Sequence, residues 1–128
     1  MTVLPLYERQ RLLKPIASLL SKSEKAQRKL KPDSWQYAML RDNIAALHIA
    51  QALIDESAAH DATFEQGNLR KARHALDTMI ARTETPLGTF APGSAQHSLL
   101  HNRANALRTA KSLVNARLAI EENPETEK

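Results

Sequence analysis

The sequence predicts an all-α protein, a four-helix bundle built from two tandem αα-hairpins. The 128 residues include 20 Ala and 18 Leu but only 6 Ile and 2 Val, an excess of helix formers over β-branched residues. Apolar residues recur at three- and four-residue spacing in four segments. The second half of the chain also resembles the first at an offset of 60 residues. With 42% hydrophobic residues, this length fits one domain, which we place at residues 1–120.

The first hairpin is predicted to contain a helix over residues 6–24 and a longer one over 34–59. Pro15 lies inside the first segment, where it either kinks the helix or begins a new one. Apolar side chains at helical spacing define one face of each helix. These residues are Leu12, Leu13, Ile16, Leu19 and Leu20 in the first helix, and Tyr37, Leu40, Ile44, Leu47 and Ile54 in the second.

The second hairpin is predicted to contain helices over residues 68–84 and 94–121. Gly67 and Asn68 precede the first of these, with Asn68 a suitable N-cap. The apolar faces consist of Leu69, Ala72, Leu76, Met79 and Ile80 in the third helix, and Leu99, Leu100, Ala104, Leu107, Val114 and Leu118 in the fourth.

The strongest signal is the internal repeat, in which residues 11–55 align with 71–115 without a gap. Nine of the 45 aligned positions are identical, and both loops carry matching Pro and Ser residues. We interpret the two halves as duplicated hairpins related by a pseudo-two-fold axis. Matched alanines predict close approach of the second and fourth helices, at Ala46, Ala50, Ala106 and Ala110. Matched leucines are expected in the core, at Leu40, Leu47, Leu53, Leu100, Leu107 and Leu113. Each loop is also expected to place one apolar side chain, Leu30 or Phe90, under the bundle end.

The formal net charge of the chain is +4, but successive segments of the chain differ in the sign of their charge. Residues 1–31 carry a net charge of +6, residues 32–66 carry −5 and residues 67–120 carry +6. The acidic tail, residues 121–128, is predicted to be disordered. Such alternation favours attraction between neighbouring helices or between protomers.

Several classes of function are excluded by composition. Without Cys the chain has neither disulfides nor thiolate metal sites, and three Gly are too few for a glycine-rich phosphate loop. We predict no catalytic residues, no cofactor and no metal. His97 and His101 share a helical face but lack further ligands, so we interpret them as surface or interface histidines.

The sequence has neither an apolar run of about 18 residues nor a signal-peptide pattern. We therefore expect a cytoplasmic protein that makes no membrane contact.

Two groups of residues are candidates for binding. Basic residues that could contact a partner or phosphate groups are Lys22, Lys25, Arg28, Lys29, Lys31, Arg70, Lys71 and Arg73. For the first five, the alternative is a solvated helix end whose dipole favours cations. Polar pairs begin the second and fourth helices: Ser34 with Gln36, and Ser94 with Gln96. In one structural interpretation the serines are the N-caps. In the other, Asp33 and Gly93 are the N-caps and the glutamines close capping boxes. The functional alternative is that the two helix N-termini form a site for an anion or a partner.

These observations favour a non-enzymatic interaction or scaffold protein that binds another protein or itself. The alternative is a nucleic-acid-binding accessory protein that uses the basic segments of the first and third quarters. A homodimer is one form of the first hypothesis, since the second helix has apolar residues off its main face at Trp35, Met39, Ile49 and Leu53. Three acidic residues of that helix would meet Arg70, Lys71 and Arg73 of a second protomer. They are Asp42, Asp55 and Glu56.

Overall fold

The structure, a computed structural model, describes residues 4–55 and 64–122, with side chains to residue 120, and is all-α as predicted. Four helices and one short 3₁₀ helix make up this part of the chain, which contains no strand. α4 reaches Glu122, two residues into the segment predicted as a disordered tail, while residues 123–128 lie outside the described residues. The elements are α1 (Leu6–Arg28), α2 (Trp35–Asp55), α3 (Gln66–Glu84), the 3₁₀ helix (Pro86–Thr89) and α4 (Ala95–Glu122).

Two helix boundaries in residues 4–55 and 64–122 differ from the predictions by more than one residue, and the predicted end of the second helix at residue 59 lies outside the described residues. α1 continues through Pro15 and ends at Arg28, so the proline neither begins nor ends a helix. α3 begins at Gln66 rather than at residue 68, because the amide of Leu69 already donates to the carbonyl of Glu65. Asn68 therefore lies inside the first turn and is not the N-cap.

Each hairpin consists of two antiparallel helices. In the first, Gln27 bonds to the carbonyl of Tyr37 beside the loop, and Arg9 bonds to the carbonyl of Asp55 at the other end. Between the hairpins, α1 packs on α4, α2 packs on α3, and α2 packs on α4. In the described part of the chain α1 does not contact α3, so α2 and α4 form the central pair of the bundle.

The small side chains predicted to lie between α2 and α4 are buried. All four matched alanines belong to the core of the bundle. They are Ala46, Ala50, Ala106 and Ala110. Small residues one turn apart let two helix backbones approach closely.

The predicted leucine core is correct in part. The matched pair Leu47 and Leu107 is buried, whereas the matched pair Leu40 and Leu100 is only half-buried. In the third pair, Leu53 is buried and Leu113 is half-buried. Leu40 and Leu100 lie in the second turns of α2 and α4, near the bundle end, where fewer neighbours cover them. Leu113 packs against the edge of the core.

Local structure recurs at the predicted offset of 60 residues. α1 and α3 begin 60 positions apart, as do α2 and α4. In the loops, Leu30 donates its amide to the carbonyl of Gln27, and 60 positions later Phe90 donates to Leu87. The loop side chains differ, since Leu30 is half-buried whereas Phe90 is exposed, which contradicts the prediction that both tuck under the bundle. The common origin of the two halves stays a prediction.

Candidate binding grooves

The basic residues at the end of α1 form an exposed cluster on the last turns of that helix and in the following loop. All five are exposed, and none lines either of the grooves described below. They are Lys22, Lys25, Arg28, Lys29 and Lys31. Their position at a helix C-terminus is one that the helix dipole favours for cations.

The polar pairs at the starts of α2 and α4 act as caps through their serines. The Ser34 hydroxyl accepts the amide of Tyr37 at 3.2 Å, and the Ser94 hydroxyl accepts the amide of His97 at 3.1 Å. Each serine is thus the N-cap residue, and the reading with Asp33 and Gly93 as caps is wrong. The glutamines, Gln36 and Gln96, are exposed and lie one residue too early to close a capping box on these serines.

The histidine pair on α4 lies at the surface as two parallel rings. The ring centroids of His97 and His101 are 6.2 Å apart, with 8° between the ring planes. Among residues 4–55 and 64–122, no group of three or more His, Asp or Glu side chains is arranged to hold a metal ion.

A first groove, of about 520 Å³, lies between α2 and α3. It unites, within one chain, several residues that the dimer hypothesis placed on different protomers: Trp35, Met39 and Asp42 from α2, with Arg70 and Lys71 from α3. The remaining lining residues are Ala38, Asn43, His74, Ala75 and Thr78.

Other residues of the dimer hypothesis lie elsewhere. Arg73 is half-buried outside this lining. Ile49 and Leu53 are buried within the chain and need no second protomer to cover them. The other two apolar residues of the dimer hypothesis remain accessible in a single chain. Trp35 is 67% exposed and Met39 is half-buried.

A second groove, of about 440 Å³, lies between α1 and α4, and sequence reasoning did not find it. Cationic side chains reach it from both helices, Arg11 and Lys14 from α1 and Arg103 from α4. Its one acidic residue is Glu8. The remaining lining residues are Leu12, Pro15, Ser18, Leu99, Asn102 and Asn105.

The two grooves occupy corresponding places on the two hairpins. Seven lining residues of one lie 60 positions from seven of the other. The pairs are Arg11 with Lys71, Lys14 with His74, Pro15 with Ala75, Ser18 with Thr78, Leu99 with Met39, Asn102 with Asp42, and Arg103 with Asn43. The offset could have suggested the second groove, but only the packing of α1 on α4 brings its two sides together.

Arg103 is the least satisfied side chain in the α1/α4 groove. Its Nε and Nη2 atoms are shielded from solvent, and no acceptor among the described residues bonds to them. Burial also lowers the pKa of the Arg103 guanidinium below its ordinary value, because desolvation disfavours the charged form. The lining of this groove therefore includes a cation with two nitrogen atoms that lack an acceptor among the described residues.

Ion pairs elsewhere link α3 to α4. Lys111 pairs with Asp77 at 2.6 Å, and Arg108 pairs with Glu84. Both pairs lie within the basic segment, residues 67–120. They therefore do not show the predicted attraction between this segment and the acidic segment, residues 32–66.

Comparison of the chain with protein-family models, with curated proteins and with solved structures gave no match. None of the helices in residues 4–55 and 64–122 combines the length and hydropathy that crossing a membrane requires.

Proposed function

We propose that this chain is a non-enzymatic helical interaction protein that binds another protein or itself through the grooves beside its central helix pair. Exposure of Trp35 in the α2/α3 groove is the observation that carries this proposal. The cytoplasm is the compartment we propose for it.

Trp35 begins α2 and exposes 67% of its surface beside Met39. The facing helix contributes Arg70 and Lys71 to the same groove. Tryptophan and arginine are enriched among the residues that dominate binding energy at protein interfaces. An indole left in solvent beside apolar and charged groups thus has the character of an interface anchor.

Site-specific photo-crosslinking tests this proposal. A photoreactive amino acid at position 35 is expected to join the chain to a discrete protein, because Trp35 lies in the binding groove. Purified protein would give an adduct of two copies if the chain binds itself, and cells that express it would give a larger or different adduct if the partner is another protein. The matched control is position 45, where Ala45 is exposed on the same helix outside both grooves.

Equal adducts at positions 35 and 45, or no protein adduct at position 35, would contradict the proposal. Circular dichroism of each variant checks that helical content is retained.

The second candidate function is nucleic-acid binding, favoured by the exposed cations at the end of α1. Under the proposed function we expect only non-specific affinity for a labelled oligonucleotide, with a dissociation constant of about 10⁻⁴–10⁻⁶ M at physiological salt. The measurement is fluorescence anisotropy over a salt titration. Tighter binding that is lost in the double variant Lys25→Glu and Lys29→Glu would favour the second candidate instead.

A further inference from the structure

We infer that the α1/α4 groove is the docking site for an acidic amphipathic segment of a partner protein. A carboxylate of that segment would bind Arg103, and an apolar side chain would cover Leu99. This inference rests on the proposed function and names the partner's chemistry at the second groove.

The charge of the groove selects an acidic occupant. Arg11, Lys14 and Arg103 line it against the single carboxylate of Glu8. At the position where the α2/α3 groove has Asp42, this groove has the neutral Asn102. The described lining residues carry a formal charge of +2 in this groove and +1 in the α2/α3 groove, so the α1/α4 groove is the better suited of the two to an anion.

The unpaired atoms of Arg103 favour a carboxylate in particular. Nε and Nη2 lie on one edge of the planar guanidinium, so their two N–H groups are parallel donors. That edge matches the two oxygens of a carboxylate, which accept both hydrogen bonds together. A buried donor without an acceptor is unfavourable. Both atoms are shielded from solvent in the free chain, so the Arg103 side chain would turn this edge into the groove as the segment docks, and the carboxylate would supply the acceptors that the described residues do not.

The groove also has an apolar side. Leu99 is 51% exposed, next to the half-buried Pro15 and the buried Leu12. The lining follows α1 over residues 8–18, a length of about 15 Å at 1.5 Å per residue. A groove of this length between two helices suits a segment of two to three helical turns that presents both apolar and acidic side chains.

The same lining is poorly suited to nucleic acid. It includes no aromatic side chain on which a base could stack. The nearby Tyr7 ring lies beside the Arg11 guanidinium, 5.7 Å from its centroid, and is not part of the lining.

Selection from a random library of 12-residue peptides tests the inference. Full-length protein is the target, and the Arg103→Gln variant is used for counter-selection. We expect enriched peptides to combine Asp or Glu with Leu, Ile or Phe at three- or four-residue spacing. An enriched set without acidic bias, or no enriched set, would overturn the inference.

Affinity measurements on one enriched peptide then test the role of Arg103. Arg103→Gln is expected to weaken binding about tenfold or more, because the bidentate charged contact is lost. Arg103→Lys is expected to restore only part of it, since an ammonium cannot present two parallel donors. Lys71→Gln, at the position in the other groove that corresponds to Arg11, is the matched control and is expected to leave the affinity unchanged. Thermal melts establish that each variant is folded.

Three results would overturn the assignment. One is equal binding of the peptide and of its Glu→Gln counterpart. Another is inorganic phosphate or an oligonucleotide binding as tightly as the peptide, with the same dependence on Arg103. The third is a dimer in sedimentation that Arg103→Gln dissociates, which would assign the groove to a second copy of the chain. Failure of the peptide selection leaves the crosslinking result at position 35 unaffected, so this inference and the proposed function fail separately.

Discussion

Leu107→Ala and Leu47→Ala are each expected to lower the free energy of unfolding by about 2–5 kcal/mol. Both side chains are fully buried, one on each helix of the central pair. Truncation removes apolar surface from the core and leaves a cavity that rigid helix packing cannot close. Urea unfolding followed by circular dichroism measures the change.

The matched control for this pair is Leu100→Ala, because Leu100 is half-buried on the same helix as Leu107. Its truncation is expected to cost less, since part of its surface already contacts water. Losses below about 1 kcal/mol at both Leu47 and Leu107 would contradict their placement in a packed core.

Ala110→Leu is expected to destabilise the fold by about 1–3 kcal/mol through overpacking. Ala110 is fully buried and is one of the four matched alanines predicted to lie between α2 and α4, two helices that pack on each other. A larger side chain would push the two backbones apart and disturb the packing on both sides. Thermal and urea unfolding of the variant measure the effect.

The control for the alanine substitution is Ala116→Leu, at an exposed position of α4. We expect this variant to unfold close to wild type, because Leu and Ala are both good helix formers and no core packing changes. Equal stability of the two variants would mean that α2 and α4 are not closely packed at Ala110.

Much of the fold could be predicted because its determinants are local. Helical spacing of apolar residues located all four helices, and the hydroxyls of Ser34 and Ser94 cap the residues that follow them closely in the chain. Among the leucines matched at a spacing of 60 residues, Leu47 and Leu107 are both buried as expected, while the duplication itself stays a prediction. Each of these features depends on a helix turn or on a pattern readable along one chain.

Other features were decided by how the helices pack. Periodicity assigned Leu40 and Leu100 to the core face, but their exposure depends on where the bundle ends. It also could not show that Trp35 and Lys71 share one groove. Nor could it show that Arg103 lines the same groove as Arg11, with no acceptor among the described residues for its Nε and Nη2 atoms. Helical spacing specifies which side chains share a face, whereas a groove forms between faces far apart in sequence. Such a site exists only after tertiary packing has selected which helices are neighbours, so its residues cannot be read from one helix alone.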